Sequence, residues 1–394
     1  MHTWSPTVFF AVASLVMPSS TGKPSDADAN TEPYSIRMAK SIISRSQGIV
    51  NNESDTSIWL QAGFTQKSFK AVLEEYHESS QFDTSAISDY RLKSSISAAV
   101  PLSNATANLK RSLDRHSNGN SFIDYYRSTG NETFKAGIEG LKTALDLQPR
   151  NEEGGIQYFV YPYWSYLDGM EAFAPFYTLY GTKYATANQS AILDDVVLQI
   201  DLLYKHTFDN ATKLLVHGYD YSKTAVWANP ETGASPWVWG RAMGWYHMSL
   251  VDTLELFPKQ HKGYDSILQK FKQLSKAVVA NADPETGAWL QIIGQSGREG
   301  NYIESSGSAM FAYALMKGAR KGYLSSKKRN VLELNSGAEK DNKAINYVAA
   351  GSKAYEHILK TFVVDNNNGT ISYNGTVAVC SLNSTASYEV SFLS

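Results

Sequence analysis

The sequence predicts an all-α protein in which helical hairpins close into an (α/α)6 toroid, with a few short strands near the carboxyl terminus. Three observations support this fold class. Apolar residues recur at helical spacing along ten long segments. Strand patterns are rare and lie late in the chain. One loop motif recurs after 54 residues, which indicates repeated units of two helices.

The ten segments are amphipathic, as expected of helices that pack against a common core. They are Tyr34–Ser46, Ile58–Glu78, Ser121–Gly130, Glu132–Leu147, Trp164–Tyr180, Ala187–His206, Pro236–Phe257, Ser266–Ala282, Ser306–Lys321 and Ala344–Val364. A further helix with a weaker pattern is expected between Ser88 and Ala107. Extended structure is expected at Thr370–Val379, which contains an Asn-Gly turn signal, and at Ser387–Phe392.

A repeated loop organises the helices into units. The motif Asn-Pro-Glu-Thr-Gly-Ala begins at Asn229 and the motif Asp-Pro-Glu-Thr-Gly-Ala begins at Asp283, so their prolines are 54 residues apart. That interval holds two helices and their connections, and about six such units fit in the mature chain. A closed ring is favoured because an open stack would need capping repeats. The alternative is that two unrelated turns share favourable chemistry, Pro followed by Gly.

The composition excludes some classes of partner and site. The 36 Lys and Arg residues nearly balance the 38 Asp and Glu residues, and no long basic run is present, so a nucleic-acid partner is not expected. Cys380 is the only cysteine, which rules out an intramolecular disulfide and a thiolate metal cluster. The 24 tyrosines and 8 tryptophans suit carbohydrate recognition, although a large helical core would also bury such residues.

The amino terminus has the features of an export signal. The apolar run Thr7–Met17 is shorter than the roughly 20 residues that a membrane span needs, although only His2 stands where a basic flank is usual. We therefore expect a signal peptide at residues 1–22, a single domain at 23–394 and a secreted, extracellular protein with no membrane partner. Eight Asn-x-Ser/Thr sequons support secretion through a glycosylating pathway. They are Asn52, Asn104, Asn131, Asn188, Asn210, Asn368, Asn374 and Asn383.

The most informative segment lies around residue 240. Trp239, Arg241 and Trp245 offer flat apolar faces and one fixed cation, the groups needed to hold a sugar ring that carries a carboxylate. Arg241 and Trp245 are four residues apart and share a helix face. Ser235 is expected to cap this helix with Pro236 in its first turn, which puts Arg241 near the positive end of the helix dipole. The alternative for Trp245 is an ordinary core position.

Five motifs, taken in order, resemble glycoside hydrolase family 105, the unsaturated rhamnogalacturonyl hydrolases and related unsaturated-uronate hydrolases. They are Gln148-Pro-Arg-Asn-Glu-Glu-Gly-Gly-Ile-Gln-Tyr-Phe-Val-Tyr-Pro162, Tyr166-Leu-Asp-Gly-Met170, His217-Gly-Tyr-Asp220, Trp239-Gly-Arg-Ala-Met-Gly-Trp245 and Gly300-Asn-Tyr-Ile-Glu-Ser-Ser-Gly-Ser-Ala-Met310. The resemblance extends from about Tyr34 to about Ser384. Each motif alone is weak, whereas five in one order are specific.

The resemblance implies a six-hairpin enzyme that removes a 4,5-unsaturated uronic acid from the non-reducing end of an oligosaccharide. Enzymes of this family hydrate the double bond. A carboxylic acid protonates C4, water attacks C5, and the hemiketal that results opens and expels the rest of the sugar chain. The resemblance implies no metal and no organic cofactor.

Two aspartates match the family's catalytic pair. Asp168 matches the catalytic acid, and Asp114 matches the second carboxylate. They are 54 residues apart, the spacing of the repeated loop, so we expect them at equivalent places on adjacent hairpins. Close like charges in a poorly solvated pocket raise a pKa, which would keep Asp168 protonated. The alternative for Asp168 is a capping carboxylate or a satisfied polar group on an inner helix.

The resemblance also implies the positions that bind the substrate, and His217 rests almost wholly on it. The substrate-binding positions are His217, Trp239, Arg241, Trp245 and Tyr166. Tyr166 stands where many relatives have tryptophan, and Met243 stands where they often have an amide, so the substrate preference of the family is not carried over. A lone histidine is more often structural, which is the alternative for His217.

The carboxyl terminus also departs from the family. Relatives continue past the region of Cys380 into another extended segment and a Gly-rich helix, whereas this chain ends at Ser394. The last hairpin is therefore expected to be incomplete, with apolar surface of its neighbours left uncovered.

These observations favour a secreted hydrolase that releases unsaturated galacturonic acid from rhamnogalacturonan fragments. One alternative is an enzyme that removes unsaturated or saturated glucuronic acid from another polysaccharide. An alternative from a different class is a glycan-binding protein that kept the aromatic cleft and lost turnover. The oligomeric state does not follow from the sequence.

Overall fold

The computed structural model describes residues 32–77, 79, 81–160, 163–325 and 345–377. This part of the chain contains twelve α-helices: α1 (Tyr34–Ser44), α2 (Ile58–Glu75), α3 (Ser85–Leu102), α4 (Ala105–Asn108), α5 (Gly119–Thr129), α6 (Glu132–Leu147), α7 (Met170–Leu179), α8 (Gln189–Thr207), α9 (Gly240–Leu256), α10 (Tyr264–Ala280), α11 (Ser305–Arg320) and α12 (Tyr347–Phe362). No helix within these residues is long and apolar enough to cross a membrane.

Six short strands accompany the helices in three antiparallel pairs. The pairs are β1 (Trp164–Tyr166) with β2 (Gly218–Asp220), β3 (Val238–Trp239) with β4 (Ile292–Ile293), and β5 (Val363–Asp365) with β6 (Ile371–Tyr373). None is longer than three residues, so the strands tie loops together and do not form a layer of their own. The predicted all-α class is confirmed.

The helices form an inner and an outer layer, which confirms the predicted toroid. Every residue of α7 is buried, as are all but two residues of α9 and of α11. The inner helices follow one another around the ring: α2 contacts a 3-10 turn at Leu113–Asn118 that leads into α5, this turn contacts α7, α7 packs on α9, and α9 packs on α11. Helix α3 and the amphipathic helices α6, α10 and α12 cover this layer from outside.

Two predicted helices begin later than expected. The segment predicted as Trp164–Tyr180 starts with β1 and becomes helical only at Met170. The segment predicted as Pro236–Phe257 starts with β3 and becomes helical at Gly240. In both cases, partner strands distant in sequence take up the backbone hydrogen bonds of the first residues. The weaker helix predicted between Ser88 and Ala107 is present as α3 and α4.

The predicted cap at Ser235 is wrong because the helix starts elsewhere. Trp239 occupies the N-cap position of α9 and forms no side-chain cap bond. The Ser235 hydroxyl instead accepts a hydrogen bond from the Gly218 backbone N–H at 3.2 Å. Ser235 therefore joins two loops.

The repeated loop is a structural repeat. In both copies the side chain of the first residue, Asn229 or Asp283, accepts hydrogen bonds from backbone N–H groups of the loop. The backbone N–H of the same residue donates to the carbonyl of the sixth residue, Ala234 or Ala288. The fifth residue, Gly233 or Gly287, has a φ of +79° or +74°. Helices α9 and α10 lie between the two copies, as the 54-residue interval predicts.

Some predictions lie outside the described residues. These are the signal peptide at 1–22, the strand at Ser387–Phe392 and the incomplete last hairpin beyond residue 377. Of the strand predicted at Thr370–Val379, residues 371–373 form β6.

Candidate active site

The predicted catalytic and substrate-binding residues gather at the amino-terminal ends of inner helices. Asp114 lies in the 3-10 turn before α5, and Asp168 lies two residues before α7. Arg241 is the second residue of α9. Since these helices are neighbours in the ring, their first turns form one end of the toroid.

The two segments that carry the aspartates pack directly against each other. A Cβ atom at Gly169 would lie 2.9 Å from the Cβ of Leu113 and 3.0 Å from the ring of Tyr158, so only glycine leaves room here. Asp168 precedes Gly169 in the chain, and Asp114 follows Leu113. The two aspartates are close enough for the charge of Asp168 to raise the pKa of Asp114. The structure thus brings together the two aspartates that the 54-residue spacing placed on adjacent hairpins.

Asp114 is the buried member of the pair. Its Oδ2 accepts hydrogen bonds from the Tyr158 hydroxyl at 2.7 Å and the Ser112 hydroxyl at 3.0 Å. Burial, with a smaller contribution from the charge of Asp168, raises the pKa of Asp114 to about 6, although the two hydroxyl donors oppose the shift. The sequence argument expected a raised pKa at Asp168, whereas the geometry accounts for one at Asp114.

Asp168 is the accessible member of the pair. Its side chain is 22% exposed, and its Oδ2 lies 3.0 Å from Nε2 of the buried His217. The backbone carbonyl of His217 accepts the N–H of Leu167 at 3.1 Å, so β2 and the loop before α7 hold this contact in place. A partly exposed carboxyl beside an imidazole can exchange a proton with a bound molecule.

Aromatic rings surround His217. The Tyr166 ring centre lies 5.3 Å from that of His217, and the Trp239 ring is stacked at 6.1 Å with an interplanar angle of 14°. Tyr158 also contacts Tyr166, with ring centres 5.1 Å apart. Tyr166 and Trp239, both predicted from the sequence, therefore wall the space beside Asp168.

Arg241 and Trp245 lie one helical turn apart, and both are buried. The Trp245 ring packs edge-on against Phe64 at 4.8 Å. Arg241 donates from Nη1 to the carbonyl of Val377 at 2.5 Å. A cation in the first turn of a helix is unfavourable with the helix dipole, so a bound anion would stabilise this end of α9.

Two contributors to this end of the ring were not predicted as site residues. Tyr158 bonds Asp114, and Glu304 caps α11 by accepting from the Gly307 N–H at 2.6 Å. Glu304 also accepts from the Val377 N–H at 3.1 Å, so the backbone of Val377 bridges Glu304 and Arg241. Both residues lie in the motifs quoted above, but their partners are distant in sequence, so no local pattern marks them.

The departure at Met243 does not alter the surface of the site, since Met243 is fully buried. Within the described ranges, no group of three or more His, Cys, Asp or Glu side chains is arranged to hold a metal ion.

A ring of helical hairpins with a carboxyl pair and an aromatic wall at one end defines a glycosidase of the six-hairpin class. The chain belongs to glycosyl hydrolase family 88, whose family model matches residues 34–391. The resemblance to family 105 is also confirmed. A family 105 glycoside hydrolase from C. acetobutylicum ATCC 824 is 30% identical, superposes with a TM-score of 0.74, and the match covers 91% of each chain.

Two further relatives show how far the similarity extends. Protein Atu3128 of Agrobacterium fabrum is 33% identical over 208 residues, which are 53% of this chain and 80% of that protein. The unsaturated glucuronyl hydrolase of Bacillus sp. GL1, responsible for the degradation of glycosaminoglycan, shares the fold at 14% identity. Its TM-score is 0.57, with 83% of this chain and 80% of that one covered.

Proposed function

We propose that the protein releases 4,5-unsaturated galacturonic acid from the non-reducing end of rhamnogalacturonan oligosaccharides by hydrating the C4=C5 double bond. The observation that carries this proposal is the pair formed by buried Asp114 and accessible Asp168, next to the aromatic wall around His217. Membership in a family of glycoside hydrolases supports it.

The exposure of the two carboxyls divides their roles. Asp168 reaches the bound sugar and gives its proton to C4. The positive charge that develops at C5 and the ring oxygen is quenched by water, whose proton returns to Asp168. The two carboxyls act as one titrating pair that holds a proton, because burial and the charge of Asp168 raise the pKa of Asp114 to about 6, and we assign the transfer of that proton to the accessible member. The hemiketal then opens and releases the remaining chain as an alcohol, so one water molecule is consumed per turnover.

The other residues bind the uronate. Arg241 pairs with its carboxylate, an interaction that the dipole of α9 favours. Trp245 and Trp239 cover its apolar faces, and His217 orients Asp168 or the attacking water. Tyr166 lies on the other side of His217 and borders the exit of the leaving chain.

The test uses disaccharides made by polysaccharide lyases, whose conjugated double bond absorbs in the near ultraviolet. We expect the wild-type protein to remove this absorbance. Asp168→Asn should lower the rate by about 10³-fold or more while leaving disaccharide affinity largely intact, because an amide cannot donate the proton. Asp89→Asn, a change of an exposed aspartate on α3, is the matched control and should keep full activity.

The outcomes separate the alternatives. An active Asp168→Asn variant would remove Asp168 from its proposed role. Binding by the wild-type protein without loss of absorbance would indicate the glycan-binding alternative. Faster turnover of ulvan-derived or glycosaminoglycan-derived disaccharides than of rhamnogalacturonan disaccharides would indicate the glucuronyl alternative.

We also propose that the protein is secreted and carries glycans. The apolar run at the amino terminus supports secretion, and the asparagines of all seven sequons in the described residues are exposed. Expression in a eukaryotic secretory host should give a protein in the medium that loses mass on treatment with an N-glycan-cleaving amidase. Retention in the cell, or an unchanged mass, would contradict this proposal.

A further inference from the structure

An aromatic groove lies beside the carboxyl pair and is not used in the mechanism above. It has a volume of about 460 Å³ and is lined by Tyr163, Trp164, Trp227 and the loop residues Ser222, Thr224, Ala225 and Val226. Among the described residues, no charged side chain belongs to this lining, and Lys223 of the same loop is not part of it. We call this the aromatic groove.

The aromatic groove is continuous with the candidate active site. Trp164 and Tyr166 are two residues apart on β1, so their side chains lie on the same face of that strand. The Trp227 ring contacts both, at 5.4 Å from Trp164 and 6.5 Å from Tyr166. Tyr166 in turn contacts His217, which lies beside Asp168. A chain that leaves the carboxyl pair past Tyr166 therefore enters the aromatic groove.

The rim of the aromatic groove is held in a fixed shape. The fully buried Asp220 carboxylate accepts the backbone N–H groups of Ser222, Thr224 and Ala225 at 2.8–2.9 Å, and the Ser222 hydroxyl at 2.7 Å. These bonds fix the loop that presents Val226 to solvent. The groove is thus formed before a ligand binds, which lowers the entropy cost of binding.

Several apolar side chains of this rim face water. Val226 is 81% exposed, and Tyr163 is 45% exposed with a backbone φ of +63°, a conformation that non-glycine residues rarely adopt. Exposed apolar groups on a strained backbone together mark a binding surface.

The chemistry of the substrate makes this location important for specificity. Galacturonate and glucuronate differ only in configuration at C4, and elimination across C4 and C5 removes that difference. Lyase products of the two polymer classes therefore present the same unsaturated sugar. An enzyme distinguishes them through the linkage and the leaving sugar.

We propose that the aromatic groove binds the first sugar of the leaving chain and selects an uncharged sugar. This inference rests on the proposed function. The rings of Trp164 and Trp227 pack against the C–H face of such a sugar. A carboxylate or sulfate would lose hydration against this lining without gaining a cation.

The experiment compares two unsaturated disaccharides that share the same uronate. One carries rhamnose as the leaving sugar and the other carries a sulfated N-acetylhexosamine. Trp227→Ala should raise the KM for the rhamnose disaccharide about tenfold and change kcat by less than threefold. Val226→Arg places a cation at the rim and should raise kcat/KM for the sulfated disaccharide at least fivefold. Val100→Arg adds the same charge at an exposed position of α3. It should change neither the KM for the rhamnose disaccharide nor the kcat/KM for the sulfated disaccharide.

The outcomes are distinct from those that test the proposed function. The ratio of kcat/KM for the rhamnose disaccharide to kcat/KM for the sulfated disaccharide is the deciding quantity. If both groove variants leave this ratio within twofold of wild type, the proposal is wrong. If wild type turns over neither disaccharide, the proposed function fails, and calorimetric titration with the rhamnose disaccharide then decides about the groove. Binding weakened at least fivefold by Trp227→Ala supports the groove, whereas equal or absent binding overturns it.

Discussion

Asp114 combines its proposed catalytic role with a stability penalty that comes from its burial. Its pKa is raised from 3.8 to about 6, mainly by burial. Between these two values the folded state binds a proton that the unfolded state has released, so stability falls as pH rises. Above pH 6 the full penalty is present, and a shift of this size corresponds to about 3 kcal/mol.

We therefore predict that Asp114→Asn inactivates the enzyme but stabilises its fold at neutral pH. The amide is uncharged, and its oxygen still accepts from Tyr158 and Ser112. The gain in unfolding free energy should be up to about 3 kcal/mol at pH 7 and close to zero near pH 4, where wild-type Asp114 is protonated in the folded state. Thermal unfolding of both proteins across this pH range measures the difference.

The same pH series is measured for a control variant. Asp89→Asn changes an exposed aspartate and should give a small difference that does not depend on pH. A stability difference for Asp114→Asn that is equal at pH 4 and pH 7 would show that the carboxyl is not held protonated by its surroundings.

At the residue scale, the sequence identified side chains with intrinsic chemistry better than those whose role depends on contacts. Asp114, Asp168 and His217 carry titratable groups and lie together as expected. Tyr158 and Glu304 were not predicted as site residues, because their hydrogen bonds join residues 44 and 73 positions apart. The raised pKa of Asp114 was not predicted for the same reason, since burial is a property of the packed ring.

At the scale of elements, the repeated turn provides a matched pair of glycines. Gly233 and Gly287 have nearly the same positive φ, but their surroundings differ. A Cβ at Gly233 would lie 2.2 Å from the carbonyl oxygen of Asp220, whereas a Cβ at Gly287 would meet the flexible side chain of Lys353 at 2.9 Å. Substitutions at the two positions therefore distinguish the cost of backbone strain from the cost of steric overlap.

We predict that Gly233→Ala destabilises the protein more than Gly287→Ala does. Gly287→Ala adds mainly the strain of a left-handed residue, about 1–2 kcal/mol. Gly233→Ala adds overlap with a backbone atom, for a total of roughly 2–5 kcal/mol. Urea unfolding of the two variants measures the difference, and equal free energies of unfolding would refute it. Because Asp220 also holds the aromatic groove, Gly233→Ala should in addition raise the KM for the rhamnose disaccharide.

The same turn shows what a sequence motif misses. Asp209 begins a third copy, with its N–H bonded to the carbonyl of Leu214 and the fifth residue, Lys213, at a φ of +60°. This copy has neither the proline nor the glycine of the motif, so it was not predicted. The conformation depends on the first side chain, which accepts backbone N–H groups, more than on Pro and Gly.

Helix bodies were predicted well and helix starts less well, for a physical reason. The bounds of α6 agree with the prediction because its amphipathic pattern and its Asn131 cap are both local. Strands β1 and β3 have three and two residues, too few for an alternating pattern, and they pair with residues 218–220 and 292–293. The predicted bounds of the following helices, α7 and α9, therefore began too early in the chain.

At the scale of the whole molecule, buried charges link the inner helices beneath the candidate active site. Asp252 of α9 forms ion pairs with Lys67 of α2 and, at 2.5 Å, with Lys317 of α11. Lys67 also pairs with Glu171 in the first turn of α7, three residues after Asp168. Four inner helices that are distant in sequence are thus joined through two carboxylates and two lysines.

The buried charges also support the floor of the site. Lys67 lies over the ring of Phe64 at 5.4 Å, and Phe64 packs against Trp245. Although burial opposes ionisation, the adjacent lysines hold the pKa of Asp252 well below its ordinary value, so the carboxylate stays charged. Removing its charge leaves the buried Lys317 and the partly exposed Lys67 with one fewer partner each, and a broken buried ion pair is strongly destabilising.

We predict that Asp252→Asn lowers the free energy of unfolding by about 3–5 kcal/mol. Glu255→Gln is the control, because Glu255 pairs with the same Lys317 at 2.7 Å but is partly exposed, and its loss should cost about 1 kcal/mol or less. Urea unfolding measures both, and a change below 1 kcal/mol for Asp252→Asn would contradict the argument. Since the cluster lies below Asp168 and does not touch the sugar, the folded fraction of Asp252→Asn should keep a kcat within about tenfold of wild type. A larger loss of kcat, at full folding, would mean that the buried charges act on the carboxyl pair as well as on the fold.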